Sequence, residues 1–168
     1  MHTLLCTLLV VGCARGQAPE AGSPSPTAGT PAPPAEGDLL PATPQGPTIP
    51  LTFGDHVLHV EIADTDEERQ LGLMHRAGLA PDHGMLFVYP SERMRGFWMH
   101  DTWIPLSIAF ADAQGRIVRI ADMQPLDEST TWSNRPAMYA VEAEQGWFAR
   151  HGVAVGSRIE GLPGPSRE

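Results

Sequence analysis

The chain contains no lysine: all eleven of its basic residues are arginine. Schiff-base chemistry, the phosphate-binding lysine of a P-loop and a lysine general base are therefore excluded. Cysteine is almost as scarce. The two present, Cys6 and Cys13, both fall near the start, so nothing downstream offers a thiol nucleophile, a disulfide or a cysteine metal site. No GxSxG elbow is present for serine catalysis. Positive charge is also short, 11 Lys+Arg against 20 Asp+Glu for a net charge of -9. With no stripe of clustered arginine, the counterion release that drives nucleic-acid binding has no source, and no nucleic-acid partner is expected. At 168 residues the chain suits one domain of roughly 100 to 150 residues.

What the first residues do contain is a short apolar core closed by a cysteine. Leu4–Val11 is eight residues long, which at about 1.5 Å per residue covers roughly 12 Å of a hydrocarbon layer near 30 Å thick. That suits a signal-peptide core rather than a membrane span. Val10-Val11-Gly12-Cys13 resembles the bacterial lipoprotein signal, in which small residues precede a cysteine that is lipidated and becomes the mature N-terminus. The resemblance implies residues 1–12 as signal peptide and Cys13 as the lipidation site. Met1-His2 departs from the pattern, because such leaders begin with positive charge; a plain secretory leader or a core segment is the alternative. Each buried methylene contributes about 0.8 kcal/mol, so several acyl chains on one cysteine hold a protein on a bilayer almost permanently. The expected partner at this end is a lipid bilayer, and the expected location is extracytoplasmic and membrane-anchored. Ala14 implies outer-membrane sorting where the host is Gram-negative.

From Gln17 to Pro50 the composition shifts, with ten of the seventeen prolines set among Ala, Gly, Ser and Thr. Such a segment lacks the apolar mass to offset its ordering entropy, so residues 13–50 are expected to form a disordered, partly polyproline-II spacer. Ala14–Pro50 would reach about 115 Å fully extended and about 35 Å as a flexible coil. The globular domain is expected over 51–160, with 161–168 a disordered tail.

Every Trp, Tyr and Phe lies within that domain. Phe53-Gly54-Asp55-His56 is a turn signal, followed by Leu58, Val60 and Ile62 alternating with His59 and Glu61, a half-buried hairpin strand. Thr65-Asp66-Glu67-Glu68 has the capping-box pattern and predicts a helix ending near Gly78. Strands are predicted at 85–89, 97–99, 106–111, 116–121, 137–143 and 153–159, with a short helical segment around 145–151. The fold class is α+β, mostly β: a small curled or barrel-like antiparallel sheet with one or two short helices, since curling protects sheet edges.

Three blocks in order, Glu67-Glu68-Arg69-Gln70-Leu71-Gly72-Leu73-Met74, His83-Gly84-Met85-Leu86-Phe87-Val88 and the run from Phe97 to Phe110, resemble domain-of-unknown-function family 192. Val141-Glu142, Gly146-Trp147, Gly152-Val153 and Val155-Gly156 are similar to its closing segment. The resemblance implies a compact, mainly β domain, often secreted or tethered, with no established activity. The chain departs from the family at His100-Asp101-Thr102, where a basic residue and Asn-Thr are usual, and at Ser107, where Asp is usual.

In the central block, Phe97, Trp98 and Met99 supply apolar area, and His100-Asp101-Thr102 interrupts with side chains that bond locally to backbone. Asp101 and Thr102 either satisfy buried backbone at this bend or bind a ligand. His100, Asp101, Thr102, Trp103, Trp132 and Glu142 form the candidate binding set. Trp132 sits in a polar loop, either as a platform for a sugar ring or as a lid on the core, whereas Trp98 and Trp147 are expected in the core. His56 and His59 are expected on the solvated surface. His83, His100, Asp101 and Glu142 lack a recognised metal-ligand spacing, and nothing in the spacing of the acids selects a glycosidase pair. No catalytic residue, metal or cofactor is expected. The resulting expectation is a tethered binding or accessory module of the cell envelope with a glycan or protein partner, the alternatives being an envelope-polymer hydrolase or a metal-handling module.

Overall fold

The computed structural model describes residues 39–42 and 44–167; the leader, Cys13 and most of the proline-rich stretch lie outside the described residues. The elements run in the order β1 (Thr48–Phe53), β2 (His56–Ala63), α1 (Asp66–Leu71), β3 (His83–Arg93), β4 (Gly96–Phe97), β5 (Leu106–Ala111), β6 (Ile117–Met123), β7 (Thr131–Trp132), β8 (Ala137–Glu144) and α2 (Trp147–Arg150). The mostly-β class with two short helices is thus as expected. Six strands form one sheet in the order β1-β2-β3-β8-β5-β6, and β4 with β7 makes a separate two-stranded ribbon. Among the described residues no helix is long and apolar enough to cross a membrane.

The sheet differs from a purely antiparallel one at a single pair. β2 and β3 run parallel, because α1 and the loop after it carry the chain back across the sheet, the long crossover that parallel neighbours require. The other neighbours in this sheet are antiparallel. The sheet is not closed, but its edges are guarded: Glu160 bridges to Thr52 on β1, and Arg158 bridges to Arg116 beside β6. The strand expected over 153–159 is therefore reduced to isolated bridges. Gly152 and Gly156 take positive φ, and Ser157 donates its N–H to the Ala154 carbonyl, so the segment turns instead of extending.

Both faces of the sheet are covered, and the central strands consequently read as unbroken apolar runs. All six residues of β5 are buried. One face packs Leu51, Leu58, Leu86, Val141, Trp147 and Phe148; the other packs Leu73, Phe87, Phe97, Met99, Ile108 and Phe110 beneath the ribbon and the loops flanking it. Trp147 is buried as expected and donates Nε1–H to Asp82 Oδ1 at 2.9 Å. Trp98 is not in the core: it is 50 % exposed.

The capping box is present, with Glu68 N–H donating to Thr65 Oγ1 and Glu68 Oε2 accepting from Thr65 N–H. The helix stops at Leu71, well before Gly78, because Gly72 turns out at φ 50 and a Cβ there would press on the Phe87 ring at 3.3 Å. Gly84 is held to glycine for a different reason: its absent Cβ would lie 2.2 Å from the Glu142 carbonyl oxygen, so β3 and β8 approach only because nothing projects there.

Two stretches expected to lack order are packed. β1 begins at Thr48, and Leu40 pairs with Arg76 while Gln45 N–H donates to Glu61 Oε2 at 3.0 Å. At the other end Tyr139 donates its hydroxyl to the Pro163 carbonyl at 2.7 Å, and Ser166 is buried against Asp64. Composition hides both, because backbone groups rather than apolar side chains make most of these contacts.

Candidate functional site

Glu142 sits near the end of β8, where alternation sends Tyr139, Val141 and Ala143 into one core and Ala140 to the other face. Its register partners are Met85 on β3 and Ile108 on β5, so the carboxyl is flanked by apolar strands on either side. It is buried and has no hydrogen-bond or ion-pair partner among the described residues. Burial alone pushes it up to about 8, because the charged form loses its hydration without compensation.

The carboxyl faces a cavity of about 40 Å³ lined also by Phe87, Phe97, Trp98, Thr102 and Arg69. Phe87 and Phe97 meet edge to face at 4.9 Å. Arg69 contributes to the wall, but its guanidinium donates to the carbonyls of Asp64 and Val88 and to the Asp66 carboxylate. Thr102 is fixed by its surroundings: its hydroxyl donates to the His100 carbonyl at 3.0 Å, its N–H to Met99, and its carbonyl accepts from Leu126.

The remaining candidates lie outside this cavity's wall. Asp101 takes φ 48 at the tip of the bend, its carbonyl accepting from His75 N–H at 2.9 Å and its carboxylate about half exposed. His100 stacks on Trp98 at 4.9 Å, with Nδ1 at 2.8 Å from Glu128 Oε1 and Nε2 at 3.5 Å from Asp101. The hydrogen bond to Glu128 raises the imidazole above its ordinary value, with help from Asp101. Trp103 is half-buried in the same loop. Trp132 is half exposed on the ribbon, beside Gly96 and Thr130, where its carbonyl accepts from Arg119. The candidates thus divide: Glu142 and Thr102 share a cavity, His100 and Asp101 form a surface cluster connected to it through Trp98, and Trp132 stands apart.

Two residues with a part in this arrangement escaped the sequence reading. The apolar neighbours of Trp98 point it to the core, and Glu128 carries no local signal that it meets His100 across two loops. The larger hollows lie elsewhere. One, about 680 Å³, is walled by Gly115, Tyr139 and the segment from Arg158 to Gly164, and another of about 480 Å³ is lined by His56 and His151, whose rings are 4.5 Å apart. His56 and His59 are exposed, and His83 stacks on His59 instead of joining Glu142. Among the described residues no three His, Cys, Asp or Glu side chains converge as a metal site would need.

Residues 49–161 match DUF192, a family described as an uncharacterized ACR. The chain belongs to the DUF192 family. Two solved structures are similar to it. One, from Sinorhizobium meliloti and described as a proposed transcription regulator, is 36% identical with a TM-score of 0.63, covering 66% of this chain and 89% of that one. The other, a protein of unknown function from Novosphingobium aromaticivorans, is 35% identical with a TM-score of 0.65, covering 67% and 84%. No curated protein matches the chain. The matched DUF192 span contains every residue named in the wall of the Glu142 cavity.

Proposed function

We propose that this DUF192 protein is a membrane-tethered extracytoplasmic binding or accessory module of the cell envelope, with the Glu142 cavity as its binding site. One observation carries the site: a carboxyl without an internal partner is buried at the wall of a cavity, where an external ligand would supply what the fold does not. The tether is supported by the Leu4–Val11 core ending at Cys13 and the proline-rich spacer. A glycosidase needs two carboxyl groups about 5 to 9.5 Å apart across its substrate, and among the described residues Glu142 is the only carboxyl in the wall. Binding is therefore favoured over hydrolysis. The absence of lysine and the charge of -9 argue against carrying transcriptional regulation over from the Sinorhizobium meliloti protein.

Both halves are testable. Thermal-shift screening of the full chain against small amines, alcohols, amides and oligosaccharides is expected to give stabilising ligands whose effect disappears in Glu142→Gln. Hits indifferent to that substitution, or turnover of an envelope glycan abolished by it with the fold intact, would reject the binding reading. For the tether, mature protein from membranes is expected to begin at an acylated Cys13, and Cys13→Ser to move it into the soluble fraction. A bare Cys13 in the mature polypeptide rejects the anchor.

A further inference from the structure

We propose that the Glu142 cavity receives a protonated primary amine carried on an apolar stem, an inference that rests on reading the cavity as a binding site. Size comes first. A cavity of about 40 Å³ has room for a small polar head such as an ammonium group. The stem must then leave through the mouth, where Leu71 and Trp98, each about half exposed, present apolar surface.

Charge selects the head. Among the described residues the wall holds one carboxyl and one guanidinium, and the Arg69 guanidinium is engaged by carbonyls and by Asp66. From β3, Tyr89 faces the same region, its phenol raised chiefly by burial and also by the Glu142 charge, and Arg95 lies over the Tyr89 ring at 3.7 Å. On β5 and β8 the neighbours Ile108 and Ala140 bring no charge. The His100 imidazole beside Trp98 is already paired with Glu128 and Asp101. A cation is thus the partner the carboxyl lacks, and Phe87, Phe97 and Trp98 in the wall supply aromatic rings, the side chains that attract a cation through their quadrupoles.

Protons make the inference distinctive. Burial holds Glu142 up to about 8, so in neutral solution the empty site is largely a neutral acid. Entry of an ammonium group converts carboxylic acid plus ammonium into a carboxylate–ammonium pair and releases one proton to solvent. Affinity therefore rises about tenfold per pH unit below that value, levels above it, and declines where the amine itself deprotonates, near 10.4 for a lysine-like amine.

The test is an NMR titration of the isotopically labelled full chain with propylammonium and with its neutral isostere propanol, at about pH 6 and about pH 7. Propylammonium is expected to shift the amides of Gly72, Leu73, Thr102 and Glu142, to bind about tenfold more tightly at the higher pH, and to lose binding in Glu142→Gln. Trp98→Ala, a substitution at an exposed position, is expected to weaken it about threefold to tenfold. The wild-type pH slope needs no variant, and an unchanged amide spectrum away from the cavity checks the fold of each. Propanol binding as tightly as propylammonium, with no pH slope, overturns the cation while a Glu142-dependent response keeps the cavity a binding site. Silence from both probes overturns the inference, and silence in the broader screen as well removes the site.

Discussion

Two carboxyl groups buried on the same sheet are treated in opposite ways. Glu61 on β2 meets Arg76 through two hydrogen bonds, Oε1 to Nη1 at 2.5 Å and Oε2 to Nη2 at 3.0 Å, and takes a third from Gln45 N–H. Glu142 on β8 meets apolar side chains. Desolvation penalises both anions, but at Glu61 the fold supplies a guanidinium fork and a backbone amide, the geometry in which burial of a carboxylate is tolerable. At Glu142 it supplies nothing, and the group responds by holding its proton. On the reading proposed above, the position left unpaired at Glu142 is where a group from outside would bind. Even the paired side is not fully satisfied, since Arg76 Nε is buried without a partner among the described residues.

The largest expected effect tests the unpaired side. Because the folded-state value of Glu142 is raised to about 8 from an ordinary 4.5, the folded protein holds more protons than the unfolded chain between those values. Its contribution to stability is complete below the lower value and is lost as pH rises through the higher one. Glu142→Gln removes the titration. Urea unfolding of both proteins at about pH 5 and about pH 9 is expected to show the variant gaining on the wild type by an amount on the order of 4 kcal/mol. Groups common to both, such as Glu68 with its lowered value, cancel in the difference. Parallel profiles would mean that Glu142 ionises freely and that the contrast with Glu61 does not exist.

The next effect converts one environment into the other. Arg76→Met leaves Glu61 buried without its cation, and breaking a buried pair from one side costs about 3 to 5 kcal/mol. Adding Glu61→Gln is expected to restore much of the loss, since no unpaired charge then remains. Denaturant midpoints of the two single variants and the double variant measure the coupling. A small loss in Arg76→Met with no rescue would mark the pair as water-exposed in solution and narrow the difference between the two sites.

How much of this was legible beforehand follows from the range of each interaction. The hairpin at Gly54, the capping box at Thr65 and the strand at Leu106–Ala111 are local, and the residues state them. The parallel β2–β3 pair was not legible, because the crossover reads as helix and loop without saying on which side β3 returns. Trp98 reads as core because Phe97 and Met99 on either side of it are apolar and buried, yet alternation along extended chain turns the ring between them to the opposite, outer side. In the sequence Glu142 is one acid among those that could converge with His83, His100 and Asp101, and it lies in the segment similar to the family's close. Its isolation depends on Met85 and Ile108 being its neighbours, a fact of register between strands far apart in sequence. The Glu61–Arg76 pair is hidden in the sequence for the same reason: one partner reads as the polar phase of a strand and the other as a loop residue.

The smallest effect extends the comparison to an exposed carboxylate. Glu128 is open to solvent, yet it accepts from His100, whose imidazole it raises, while the same ring stacks on Trp98 at the cavity mouth. The folded protein therefore favours protonated His100, and that contribution is present below the ordinary histidine value and fades as pH rises through the higher folded one. In water such a pair is weak. Glu128→Gln is expected to return the His100 titration toward its ordinary value, followed by NMR of the imidazole, and to leave the melting temperature unchanged. The informative readout is Glu142: if its own titration stays fixed while that of His100 moves, the surface cluster and the buried acid are electrostatically separate. A shift of both together would instead make His100 part of the field that the buried carboxyl senses, and the bend at Asp101 would belong to the binding site and not merely to its rim.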